Sequence, residues 1–253
     1  MATTFPHAIA RSAPVPILVR AAGESQFRSL FATRPIERIE PNAAVFWEGD
    51  PANHVFEVIE GVLRLYRLLP DGRRTITGFL FPGEILGVAF KDRYLFTAEA
   101  VTPVKLQRYP RAHLYASLAR MPGLSREMLA MACDELSAAQ DQMLLLARKT
   151  AQERIASFLI AVARRISPDA TPAREIELPM TRLDIADYLG LTIETVSRAF
   201  TKLKLEGLIS LPSPHRVMLR KPDALQAVSG EDEPDEAPMA APRRTVRSAV
   251  WPS

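Results

Sequence analysis

The residues from Thr181 to Phe200, TRLDIADYLGLTIETVSRAF, carry two helix starts separated by one glycine. Thr181 stands three positions before Asp184, the spacing of a capping box. Ile185 and Leu189 mark the buried side of a short helix. Gly190 is its stop, because glycine enters the left-handed region without a Cβ penalty. Thr192 caps the next helix, with Glu194 in the first turn, where the dipole favours a carboxylate. At about 100° per residue, Val196, Ala199, Phe200 and Leu203 fall on one side of that helix. Glu194, Ser197, Arg198 and Thr201 fall on the other. A core needs the first set and leaves the second to face something outside the chain.

Two short helices joined by a glycine turn, the second with a polar N-terminal half, predict a helix-turn-helix. In that motif the second helix enters the DNA major groove. Arginine offers a fork that fits guanine O6 and N7, glutamate accepts from cytosine N4, and serine donates, accepts or touches a thymine methyl. Glu194, Ser197 and Arg198 are therefore the expected base-reading residues. Thr181, Arg182, Thr192, Thr195, Lys202 and His215 are the expected phosphate contacts. The segment LISLPSPHRVMLR predicts strand, tip and strand, a β-wing. Charge agrees: from Ala147 to Pro222 there are 13 Lys and Arg against 8 Asp and Glu. The small net charge of +3 for the whole chain is concentrated where phosphates would be met.

Upstream, residues 27–110 are mostly β in pattern. HVFEVIEG, VLRLYRLL, TITGFLF and YLFTAEAV are short runs rich in branched and aromatic residues. Turn signals at Gly49, Gly61, Gly72 and Gly83 separate them, and the Asp71-Gly72 pair predicts a tight hairpin with positive φ angles. Many short strands at this spacing indicate a sandwich, roll or barrel. From Leu124 to Arg148 the period becomes helical. Leu124, Met128, Met131, Leu136, Met143 and Leu146 give one irregular apolar stripe, with Ala138 and Ala139 between. A stripe this long indicates a dimer seam, with Leu124, Met128, Met131, Ala138, Met143 and Leu146 as its expected residues. A core helix within one chain is the alternative. A second helix is expected over Ala151–Ile166.

The single cysteine, Cys133, lies in the long helix and is expected to be a buried, inert thiol. One cysteine neither closes an internal disulfide nor holds a cluster, and the four histidines lack metal-ligand spacing. No metal or cofactor is expected. No apolar run approaches the roughly 20 residues that span a bilayer, and prolines interrupt the N-terminal stretch where a signal peptide needs continuity. A cytoplasmic location is the expectation. No phosphate-cradling loop, nucleophile elbow or metal motif points to an enzyme. The division expected is a loose arm (1–24), a β-roll (25–115), a dimerisation helix (116–148), a winged helix-turn-helix (149–225) and a disordered, acidic, proline-bearing tail (226–253).

Taken together, PNAAVFWEGD, VFEVIEGVLRLYR, FPGEILG and MTRLDIADYLGLTIETVSRAFTKLKLEGLI resemble the Crp/Fnr superfamily of bacterial regulators, most nearly its FixK subgroup. The resemblance covers residues 25–225. It implies an α+β fold: an N-terminal cyclic-nucleotide-binding-like jelly roll, a long dimerisation helix and a C-terminal winged helix-turn-helix. It also implies a homodimer on a palindromic double-stranded DNA site with TTGAT-like half-sites, activation of microaerobic or anaerobic genes, and contact with RNA polymerase. Members with a redox-sensitive cysteine in the recognition helix have it where this chain carries Ser197. Cyclic-nucleotide binders of the family place an acid where Val88 stands and a phosphate-binding arginine where Phe96 stands, so the expectation is a regulator without a small-molecule effector. A ligand-gated regulator with an unidentified effector in the roll is the alternative.

Overall fold

The computed structural model describes residues 26–88, 92–166 and 175–230. The expected arm before residue 25, and the tail beyond residue 230, lie outside them. The short helix α1 (Gln26–Ser29) precedes the strands β1 (Ile36–Ile39), β2 (Ala44–Phe46), β3 (His54–Glu60), β4 (Leu63–Leu68), β5 (Arg74–Leu80), β6 (Ile85–Leu86), β7 (Thr97–Ala100) and β8 (Val104–Pro110). Helices α2 (Arg111–Arg120), α3 (Pro122–Arg148) and α4 (Ala151–Ile166) follow. The chain ends in β9 (Glu175–Glu177), α5 (Arg182–Leu189), α6 (Ile193–Leu205), β10 (Ile209–Ser213), β11 (Arg216–Leu219) and α7 (Pro222–Val228). The class is α+β, as the sequence implies.

Strands β1 to β8 make two antiparallel four-stranded sheets, ordered β1-β8-β3-β6 and β2-β7-β4-β5. Phe46, Phe56, Leu63, Leu65, Leu80 and Leu106 share one buried cluster of this roll. The β4–β5 connection differs from the two-residue turn expected. Gly72 takes φ +83° while Asp71 stays negative. The Gly72 N–H donates to Leu69 O at 2.9 Å, and the Leu69 N–H to Arg73 O at 2.8 Å. The connection is thus an ordinary turn followed by a left-handed glycine, the longer solution that also suits the strand twist.

One irregularity shapes the whole molecule. Leu65 pairs with Gly78 but Tyr66 pairs with Ile76, so Thr77 is an extra residue on β5. Such a bulge reverses the in–out phase of a strand. Ile76, Phe79 and Phe81 consequently share the outer face of the roll with Val62 and Tyr66. That face is covered: these five belong to one cluster with Ile155, Phe158 and Leu159 of α4 and with Ile185, Tyr188 and Leu189 of α5. The Phe79 ring meets Phe158 at 6.4 Å and Tyr188 at 5.5 Å between centroids, both edge to face. The outer face of the roll and the C-terminal unit therefore share one apolar core, separate from the roll's own inner cluster.

Helix α3 has two apolar rows one residue apart. The inner row begins with Leu124, Met128 and Met131, packed with Phe27, Phe31, Val55 and Val88 of the same chain. It continues through half-buried Ala138 to Gln142 and Leu145, both buried. The outer row holds Leu129, Leu136 and Met143, each more than 60% exposed, seven residues apart. Ala132, Ala139 and Leu146 interleave as the second position of each heptad and are exposed too. The irregular stripe expected from sequence is the sum of these rows. Leu124, Met128 and Met131 are consequently corrected from seam to internal packing, half-buried Ala138 falls in the inner row with them, and Leu129, Ala132, Leu136 and Ala139 join Met143 and Leu146 on the open face. Cys133 is exposed rather than buried, one position past the outer row. Pro122, acceptable at a first helical turn where its missing N–H would be unpaired anyway, separates α2 from α3. At the other end α7 runs to Val228 with Leu225 and Ser229 buried, so the folded unit extends past the boundary expected at residue 225.

Phe158→Ala should cost about 3–5 kcal/mol, because the vacated ring space joins roll to C-terminal unit. Leu205→Ala, at 82% exposure, should stay within about 0.5 kcal/mol of the parent. Urea midpoints at constant slope check both.

Candidate nucleic-acid interface

Both helix starts are capped as their sequences require. The Asp184 N–H donates to Thr181 Oγ1 at 3.1 Å, and the Thr181 N–H donates back to Asp184 Oδ2 at 3.0 Å. Gly190 closes α5 at φ 62°, ψ 41°. The Thr195 N–H donates to Thr192 Oγ1 at 3.2 Å at the start of α6. Leu191 then packs against the core and turns the chain.

The division of α6 into two faces follows. Val196, Ala199, Phe200 and Leu203 are buried; Glu194, Ser197, Arg198 and Thr201 are exposed. The Glu194 carboxyl is held below the usual carboxylate range by its own backbone N–H, the Thr192 hydroxyl and the nearby Arg198. It stays ionised, and hence an acceptor only. The Ser197 hydroxyl donates to Ile193 O at 2.9 Å, which spends its proton inside the helix and leaves a lone pair and a methylene facing out. Arg198 Nε lies 3.4 Å from Glu194 O. Its two terminal nitrogens make no hydrogen bond among the described residues, so the outer fork is available.

The residues expected at phosphates divide less evenly. Lys202 is exposed, 4.0 Å from Glu206 in a weak ion pair along the helix. His215 is exposed at the tip between β10 and β11, with Nδ1 3.1 Å from Leu178 O. Thr181 and Thr192 are exposed, but their hydroxyls serve as caps, and Thr195 Oγ1 pairs with Thr192 Oγ1 at 3.0 Å. The Arg182 guanidinium stacks 3.6 Å from the centre of the Phe200 ring and is half-buried. Strands β10 and β11 form the wing, and β9 adds a third strand through Val217 opposite Ile176. Exposed Lys204, Arg216, Arg220 and Lys221 add cations that the motif alone did not single out.

The roll positions singled out by the sequence are apolar in their surroundings. Val88 packs among Phe27, Phe31, Leu114 and Met131, and Phe96 packs against Phe46 and its neighbours. Among the described residues no group of three His, Cys, Asp or Glu could hold a metal ion. No described helix is long and apolar enough to cross a membrane.

Two family models match separate parts of the chain: the Crp-like helix-turn-helix domain over residues 153–228, and the cyclic nucleotide-binding domain over residues 36–121. The nitrogen fixation regulation protein FixK of Azorhizobium caulinodans is 46% identical over 186 residues, 73% of this chain and 75% of that protein. This chain belongs to the Crp/Fnr family of transcription regulators. The transcriptional activatory protein AadR of Rhodopseudomonas palustris is also 46% identical, over 75% of this chain and 80% of its own length. Among solved structures, FixK2 from Bradyrhizobium japonicum superposes with a TM-score of 0.73 at 36% identity, covering 78% of this chain and 97% of that one. The Crp/Fnr pattern of roll, long helix and helix-turn-helix is the one assembled above from the caps, the bulge and the two-row helix.

Replacing the cap of α6, Thr192→Ala, should lower stability by about 1 kcal/mol, since the Thr195 N–H loses its partner. A thermal melt beside the parent chain tests this.

Proposed function

We propose that two copies of this Crp/Fnr regulator pair through the outer row of α3 and read a palindromic DNA site. Each α6 lies in a major groove, the two about 34 Å apart, one turn of the duplex. The observation that carries this reading is the outward trio on α6: an ionised carboxylate, a hydroxyl with a spare lone pair and an open guanidinium fork. Arg198 takes guanine O6 and N7, Glu194 accepts from cytosine N4, and Ser197 sets the preference at the outer base. Lys202 neutralises a phosphate beside them, His215 contacts another, and stacked Arg182, with capping Thr181, Thr192 and Thr195, lines the approach of the backbone. TTGAT-like half-sites fit this trio.

The roll holds no effector in this reading. Val88 and Phe96 support it, since a buried phosphate or ribose beside them would lack a cation or a carboxylate. Control then comes through synthesis of the chain. The relatives' names, nitrogen fixation regulation protein and transcriptional activatory protein, support an activator. Activation of microaerobic or anaerobic genes, in the cytoplasm, proceeds through contacts of surface loops with RNA polymerase.

Selecting bound sites from a random DNA pool, with purified chain and no added small molecule, tests the whole reading. A palindrome should emerge; recovery of sites without two-fold symmetry would overturn it. Arg198→Ala should cost about 1–3 kcal/mol on the selected site and relax the choice at one base pair, whereas Lys202→Ala should weaken all sequences alike. Joint Leu136→Asp and Met143→Asp should give single chains in sedimentation that keep their helical content and lose the palindrome.

A further inference from the structure

The contact between the roll and the first helix of the DNA-reading pair is polar as well as apolar. Asp184, at the third position of α5, has a side chain only 1% exposed. Its Oδ2 serves the cap. Its Oδ1 faces the roll, 2.7 Å from Arg74 Nη2 and 3.3 Å from Arg64 Nη1. Arg74 also reaches Asp187, one turn on, with Nε at 2.9 Å from Oδ2. Arg64 continues to Glu99 and to Asn42, and Glu99 accepts from the Tyr66 hydroxyl at 3.0 Å. Burial opposes the charge on Arg74, yet Asp187 and Asp184 raise its pKa above the ordinary value. At its far end α5 is tied to α3: Arg154 of α4 donates to Leu189 O at 2.7 Å and to Leu146 O at 2.9 Å.

Helix α5 is thus gripped at its start by two arginines of the roll and at its end by the seam helix. Since α6 packs on α5, its angle to the seam follows. We propose that Arg64 and Arg74 are positioning residues for DNA reading: by clamping Asp184 and Asp187 they fix the helix-turn-helix against the roll and so set the spacing between half-sites that a dimer accepts. This rests on the palindrome reading above. One added base pair moves a half-site by about 3.4 Å and turns it by about 35°. A clamped pair of reading helices resists that change, and an unclamped pair follows it.

The test uses the full chain and a set of palindromes whose spacer is lengthened or shortened by one or two base pairs. The parent should bind the palindrome with its own spacing more tightly than every altered one. Arg74→Gln, and Arg64→Gln with Arg74→Gln, should bring the ratio of those affinities towards one while the base preference on a single half-site stays the same. Asp187→Asn, which removes one arm and leaves the buried Asp184 pair, gives an intermediate ratio and covers the case in which the double variant fails to fold. A fall in melting temperature or in overall affinity with the spacing ratio unchanged would mean the arginines are merely structural, and the proposal would fail. A parent indifferent to spacing would overturn it too. Absence of any palindromic binding by the parent would instead sink the earlier reading.

Discussion

A buried carboxylate is tolerated only when its lone pairs are met, and the fold of this chain turns on one such group. Asp184 gives one oxygen to the Thr181 cap and the other to the roll. Had either oxygen been left dry and unpartnered, the cost would be comparable to that of a large packing defect. The same group therefore starts a helix and joins two units distant in sequence. Around it the Phe79, Phe158 and Tyr188 rings supply the apolar area, and Thr77, by being one residue too many on β5, turns Phe79 towards them.

Helix α3 meets a different constraint: it carries two apolar rows, and only one of them is covered within the chain. Its inner row is spent on the roll near Leu124 and on α5 near Gln142, whose amide donates to Tyr188 O and accepts from the Tyr188 hydroxyl, both at 3.2 Å. The outer row repeats every seven residues, with Leu129, Leu136 and Met143 alternating with Ala132, Ala139 and, at the end, Leu146. The two alanines let another helix approach closely, and the large residues between them fill the resulting gaps. The two rows share a helix without sharing residues, which is why a single sequence stripe could be seen and its division could not.

Much of the reading unit was legible because its determinants are local. Thr181 to Asp184, Gly190 and Thr192 act within four residues of themselves, and the wheel of α6 needs no other part of the chain. The strands and the roll were legible from alternation and turn residues. The clamp was not. Arg64 and Arg74 lie 110 or more residues from Asp184 in sequence, and nothing in LRLYRLL or GRRTI marks one arginine as buried and another as solvated. The exposure of Cys133 was hidden for a related reason: its neighbour Ala132 belongs to the outer row, and only the placement of α3 on the roll decides which side of Met131 faces water. The run of α7 to Val228 was obscured by the acidic, proline-bearing residues just after it, whose composition spread the expectation of disorder one helical turn too far.

The open row on α3 has a consequence for dose. A lone chain holds Leu129, Leu136 and Met143 in water, so in the proposed pair the single copy is the less comfortable form and pairing depends on abundance. While unpaired copies predominate, the amount of pairs grows with the square of the amount of chain, so doubling production raises the paired form roughly fourfold. Under the proposed control by synthesis, that gives a steepness no binding pocket has to provide.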